Sequence, residues 1–251
     1  MNTKKITALW ATPRSRSTAF MWMMHQRGDF YVMQEPFGRA AYYSEERIFA
    51  RAAEVSPKPE YNYQNVLHTL KQHAQEGPLF IKDFPLYFLH IVDENFLTTF
   101  THTFLIRDPA QMLPSYYHKM PDLAFAECGY QELHGLFDKV VQHTGAIPPV
   151  INAEDLVLNP TEILQVYCAK LGLPFRPAAL HWEPPGNADE IGWWDDRSWN
   201  DDLRRSKGFQ ETPQTYLQIH ESPSLRALYE QCLPYYEELN RHRLQVKDVD
   251  A

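Results

Sequence analysis

Cysteine is scarce in this chain: Cys128, Cys168 and Cys232 are the only three among 251 residues, and no Cys-x-x-Cys pair occurs. An odd, widely spaced set builds neither a zinc site nor a disulfide framework, so no metal is expected and a reducing, cytoplasmic setting is the default. Glycine is sparse too, with 10 residues. Nowhere does Gly-x-x-x-x-Gly-Lys-Ser/Thr appear, the loop that cradles the phosphates of ATP and GTP. No apolar run approaches the ~18 residues a membrane span needs. The start, Met1-Asn2-Thr3-Lys4-Lys5, leads into a short apolar strand, which argues against a signal peptide. An excess of cations is also missing. The formal net charge of −8 excludes a globally basic nucleic-acid binder, yet leaves room for an anionic ligand, because a phosphate needs only local N–H groups and cations.

What is present is the composition of a globular protein: 44% hydrophobic, 22% charged and a generous 14% aromatic residues. The length suits a single domain spanning 1–251, and no feature speaks to oligomeric state. Short apolar runs alternate with segments of helical period. Strands are predicted at 6–11, 30–33, 79–82, 103–106 and 150–152. Helices are predicted at 17–27, 39–53, 61–75, 161–171 and 223–243. This alternation implies an α/β fold with a central parallel sheet of about five strands, flanked by helices on both faces. Ligands in such sheets gather at the carboxyl ends of the strands. Residues 174–214, rich in Pro, Trp, Asp and Arg, have no clear period and read as a long functional loop or lid.

The loop after the first strand is Thr12-Pro13-Arg14-Ser15-Arg16-Ser17-Thr18 and runs directly into a helix. A helix N-terminus offers unpaired N–H groups and partial positive charge, which suit an anion. Ser15, Ser17 and Thr18 add hydroxyls, and Arg14 and Arg16 add full charges. An N-cap beside two solvated arginines is the plainer alternative. A second feature is Phe104-Leu105-Ile106-Arg107-Asp108-Pro109, with Ser115 eight residues after Arg107. Two helical turns put Ser115 near the face that starts the helix, where it and Arg107 could hold a second phosphate. An ion pair between Arg107 and Asp108 is the competing reading.

The two features together resemble the sulfotransferases that use 3′-phosphoadenosine 5′-phosphosulfate (PAPS). A third segment agrees, Ile151-Asn152-Ala153-Glu154-Asp155-Leu156 followed by Asn159-Pro160 and Leu171-Gly172-Leu173-Pro174. The resemblance covers roughly residues 5–175 in order. It implies a P-loop-like fold, PAPS as donor, adenosine 3′,5′-bisphosphate as product and a small-molecule acceptor. It also implies a nucleotide grip by Pro13, Arg14, Ser15, Arg16, Ser17, Thr18, Arg107 and Ser115. Three departures stand out. Arg14 occupies a place where members often carry Lys. The late Arg-Lys-Gly that wraps the nucleotide is matched here only by Ser206-Lys207-Gly208, which makes Lys207 and Gly208 the corresponding candidates. Lys82-Asp83-Phe84-Pro85 stands where a Lys-Thr-His is frequent, so the usual catalytic histidine has no counterpart.

Sulfuryl transfer is an in-line displacement in which positioning and charge stabilisation do most of the work. Arg14 and Lys82 are the candidates for stabilising the leaving oxygen. Glu35, in Gln34-Glu35-Pro36-Phe37 after the second strand, leads as the base, because some bacterial sulfotransferases similarly place a catalytic glutamate there. Asp83 is second, and His118 and His90 are weaker. Between 182 and 202 lie Trp182, Trp193, Trp194 and Trp199 among Asp189, Glu190, Asp195, Asp196, Asp201 and Asp202. They predict either a loop stapled to the core or a lid that attracts a cationic acceptor. Two alternatives remain: a nucleoside or small-molecule kinase on a related fold, and a nucleotide-binding protein that has lost catalysis.

Overall fold

A computed structural model of the chain describes residues 6–49, 54–185, 197–211 and 215–246. Its centre is a sheet of five parallel strands in the order β2-β3-β1-β4-β5. The strands are β1 (Ile6–Ala11), β2 (Tyr31–Gln34), β3 (Leu79–Asp83), β4 (Phe100–Ile106) and β5 (Val150–Asn152). Both β1 and β3 are buried along their whole length, as expected of parallel strands covered on two faces. The central strand β1 feeds the loop 12–16 and then helix α1 (Ser17–Gln26). The chain returns to the sheet on one side as β2 and β3 and on the other as β4 and β5. The end of β1 is therefore the point where the winding changes direction, where ligand crevices form in such folds.

The predicted strands are all found, β1 and β5 with the predicted bounds and the other three with shifted ends. β4 begins three residues early, at Phe100, because the polar residues that interrupted its apolar run are satisfied internally. His102 Nδ1 accepts from Trp10 Nε1 at 2.9 Å, and Thr103 Oγ1 donates to the Ala8 carbonyl at 2.8 Å.

The helices needed more correction. The one predicted at 39–53 is α2 (Pro36–Tyr43). Pro36 suits the first helical position, and Ser44 turns extended to end the helix, its Oγ bonding back to the Ala40 carbonyl at 2.7 Å. The stretch at 61–75 is α3 (Tyr63–Glu76), capped by Asn62, whose side chain accepts from Asn65 N at 2.8 Å. Between β3 and β4 lies the short α4 (Glu94–Thr99). After β4 come α5 (Pro109–Lys119), α6 (Phe125–Cys128) and α7 (Tyr130–Thr144). Neither α6 nor α7 was predicted, although the buried residues Leu133, Leu136, Phe137 and Val140 of α7 have helical spacing. Gly129 joins α6 to α7 at φ 77°, pressed so closely on the loop 12–16 and the turn after β3 that a Cβ would meet Leu86 Cδ2 at 2.9 Å and Pro13 Cδ at 3.5 Å.

Beyond β5, α8 (Ala153–Leu158) and α9 (Pro160–Leu171) follow directly, and α9 ends at Gly172. The described part of 174–214 is less irregular than its sequence suggested. It holds two short 3₁₀ turns and the helix α10 (Asp201–Arg205). The closing helix α11 (Pro223–Asn240) packs on α5 and α7 and is somewhat shorter than predicted. Among the described residues, no helix is long and apolar enough to cross a membrane, and no group of side chains is arranged to hold a metal.

Candidate active site

A cavity of about 330 Å³ opens at the carboxyl ends of the strands, within the size range of small-molecule sites. Two sets of groups face it. Over β1 and β4 stand Pro13, Arg14, Arg16, Ser17 and Thr18 from the first loop, with Arg107 and Ser115 from β4 and α5. Over β2 and β3 stand Glu35, Tyr42, Phe84 and Tyr87. The strap 197–211 crosses above and contributes Trp199, Asp202, Gly208 and Phe209.

The loop after β1 achieves its shape without glycine. Arg14 and Arg16 adopt left-handed backbone, φ 58° and 67°, and so does Glu35 at φ 46°. Among the described residues these three are the non-glycine positions with positive φ, and all three line the cavity. Ser15, expected to offer its hydroxyl to an anion, does not line the cavity. It is fully buried and its Oγ donates to the Thr12 carbonyl at 2.7 Å, bracing the loop from within. A turn this tight needs an internal brace, and Ser15 has the side chain that faces inward.

The competing reading, an ion pair between Arg107 and Asp108, gives way to a division of labour. Asp108 caps α5, accepting from Ala110 N at 2.7 Å. Arg107 Nε instead donates to Glu154 at 3.2 Å, its Nη1 donates to the Arg14 carbonyl at 2.9 Å, and Tyr130 Oη donates to the Arg107 carbonyl at 2.7 Å. Glu154 comes from the start of α8, so two distant chain segments meet on the guanidinium, while α7 holds the backbone of the same residue. Ser115, on the buried face of α5, accepts from Arg14 Nε at 3.0 Å.

Lys82 is not a strand-end lysine reaching into the cleft. It is fully buried, its ammonium pairs with the Glu35 carboxylate, and it lies 4.5 Å from the centre of the Phe84 ring. The parallel register of β2 and β3 sets Gln34 opposite Lys82 and delivers Glu35 to its ammonium. A buried cation must be paired, and Glu35 is the partner at hand. Asp83 is fully buried too and does not line the cavity. Its two oxygens accept from Phe37 N and Phe84 N, each at 2.8 Å, which fixes the start of α2. Burial, reinforced by the Glu35 charge, pushes the Asp83 carboxyl well above the usual carboxylate range, against the pull of those two N–H groups.

The remaining candidates scatter. Gly208 lines the cavity, while Lys207 points outward beside Glu183. His118 stacks near Tyr216 with ring centres 4.8 Å apart, and His90 lies against Tyr63. Among the described residues no histidine lines the cavity. Trp182 is buried and staples the chain, whereas Trp199 lines the cavity. Trp193, Trp194, Asp189, Glu190, Asp195 and Asp196 lie outside the described residues. The sequence reading missed the aromatic wall made by Tyr42, Phe84 and Tyr87, in which Tyr87 meets Tyr42 at 5.7 Å and Phe84 at 5.5 Å between ring centres. Its one signal was the high aromatic content, which carries no position.

Comparison with known proteins bears on the family. Residues 4–242 match the sulfotransferase domain family. Over 93% of its length the chain is 31% identical to the branched-chain-amino-acid aminotransferase-like protein 2 of Arabidopsis thaliana, and over the same share 30% identical to protein 1 of that name. It spans only 41% of each of these relatives. A shorter stretch, 37% of this chain and 33% of the relative, is 25% identical to the sulfotransferase ppzF of Metarhizium rileyi. Two solved sulfotransferase domains share the fold. The one from the curacin biosynthetic pathway has a TM-score of 0.50 at 15% identity, covering 90% of this chain and 96% of that one. The one from the Synechococcus PCC 7002 olefin synthase has a TM-score of 0.53 at 17% identity, covering 92% and 94%. The fold is thus the P-loop-like α/β fold of these domains, and with nearly its whole length matched the chain belongs to the sulfotransferase domain family.

Proposed function

We propose that this chain moves a sulfuryl group from PAPS to a hydroxyl or amine of a small-molecule acceptor. One observation carries the reading: a cationic, N–H-rich half over β1 and β4 and a carboxylate, Glu35, over β2 open into the same cavity. The donor fits the residues present. Arg16 lines the cavity, and its Nε is buried with no hydrogen-bond partner, a donor left over by the protein's own contacts. Bound PAPS supplies the transferable sulfuryl group and a good leaving phosphate.

The chain's residues do the rest. Arg16, Ser17, Thr18 and the N-terminus of α1 hold the 5′ side and stabilise charge on the departing oxygen. Arg107 and Ser115 hold the 3′-phosphate, which distinguishes this nucleotide from ATP. The acceptor oxygen or nitrogen forms its bond to sulfur in line with the breaking S–O bond, and its proton passes to Glu35. Lys82 orients Glu35 from behind. The aromatic wall at Tyr42, Phe84 and Tyr87 gives the acceptor a face on which an apolar or a cationic body can rest.

Calorimetry with adenosine 3′,5′-bisphosphate and with ATP is the first test. Binding of the bisphosphate and not of ATP is expected, and the reverse result would favour a kinase. Arg107→Ala and Arg16→Ala should each weaken the bisphosphate by about 1.5–3 kcal/mol, the usual worth of a hydrogen bond to a charged group. Unchanged affinity in both would remove the anion site. Transfer of label from PAPS to an acceptor panel then separates an enzyme from a nucleotide-binding protein that has lost catalysis.

A further inference from the structure

We propose that Arg14 is a positioning residue: its guanidinium ties the strap 197–211 to α5 across the cavity mouth, and the charge of a bound anion falls to Arg16. The second clause rests on the reading of the cavity as an anion site, and the first stands without it. Arg14 Nε donates to Ser115 Oγ at 3.0 Å, and its Nη1 donates to the Trp199 carbonyl. Its Cζ lies 5.9 Å from the centre of the Trp199 ring, which meets Tyr116 edge-on at 6.0 Å. Two of the three guanidinium nitrogens thus hold two elements together. Arg16 differs. Its Nη1 donates to the Gln210 carbonyl, but its buried Nε has no partner.

The strap has a second anchor that does not involve Arg14. Trp182 Nε1 donates to Ser206 Oγ at 3.1 Å, and Trp182 N donates to the Lys207 carbonyl at 3.2 Å. Gly208 bridges to His181 so closely that a Cβ would stand 3.0 Å from the Leu180 carbonyl. Losing Arg14 should therefore free only the near half of the strap. Lysine at this position keeps the charge but has no planar fork with which to bond Ser115 and Trp199 at once.

Hydrogen exchange on the whole ligand-free chain tests the tie. In Arg14→Lys, amides at 199–205 should exchange at least about tenfold faster, while those at 206–209 stay as in the wild type. Arg16→Lys should leave 199–205 unchanged. Affinity for adenosine 3′,5′-bisphosphate should fall no more than about threefold in Arg14→Lys and by about tenfold or more in Arg16→Lys, in line with one charge-assisted hydrogen bond. Unaltered exchange at 199–205 would overturn the strap role. An affinity loss in Arg14→Lys equal to that in Arg16→Lys would overturn the division between the two arginines. Should Arg14→Lys not fold, Ser115→Ala removes the other end of the tie, and the same local rise in exchange is required of it. A wild type that binds no bisphosphate would sink the PAPS reading while leaving the exchange result intact.

Discussion

Replacing Glu35 by glutamine is expected to lower kcat for sulfuryl transfer by about 10²- to 10⁴-fold, the usual worth of a positioned general base, with adenosine 3′,5′-bisphosphate binding nearly unchanged. Glutamine keeps an oxygen that can accept from the Lys82 ammonium but removes its counter-charge, so the variant should lose stability as well as basicity, and its kinetics are read on protein shown to be folded. The rival base is Asp83. Its carboxyl is pushed by burial toward the protonated form, which is no base, and both of its oxygens are engaged by the backbone of Phe37 and Phe84. Steady-state kinetics on Glu35→Gln and Asp83→Asn decide between them. If the first retains activity and the second is dead though folded, the proton does not go to Glu35.

Replacing Lys82 by methionine should cost about 3–5 kcal/mol of stability, because removing one partner of a buried pair strands the other charge. Glu35 is 4% exposed, and Asp83 is fully buried beside it. Urea denaturation at neutral pH measures the loss. The double variant Glu35→Gln with Lys82→Met should recover much of it, since neither charge then remains. A single variant that loses under about 1 kcal/mol would show that the pair behaves as a solvent-exposed one.

Much of this architecture could be read from sequence because parallel strands, buried on both faces, announce themselves as unbroken apolar runs. Ala8–Ala11 and Leu79–Ile81 are such runs. Phe100–His102 was harder, since His102 looks solvent-facing until Trp10 is brought beside it by pairing distant in sequence. Helix α7 was legible in its spacing and was simply not read. The members of the cavity were legible as motifs, but what they bond was not. Nothing local tells that Arg107 pairs with Glu154, that Ser15 turns inward, or that Lys82 and Glu35 are opposite ends of one ion pair. Those facts depend on strand register and on helix starts that meet only after folding.

The left-handed backbone at Arg14, Arg16 and Glu35 sets a limit on how this protein can be improved. Each such residue carries strain of order 1–3 kcal/mol that glycine would relieve. A search for stabilising substitutions would therefore be drawn to these three positions, and each success there would delete a side chain that faces the cavity. In this chain the cheapest gains in robustness and the capacity to handle a charged ligand are located at the same residues, so thermostable variants selected without an assay for function should arrive already disarmed.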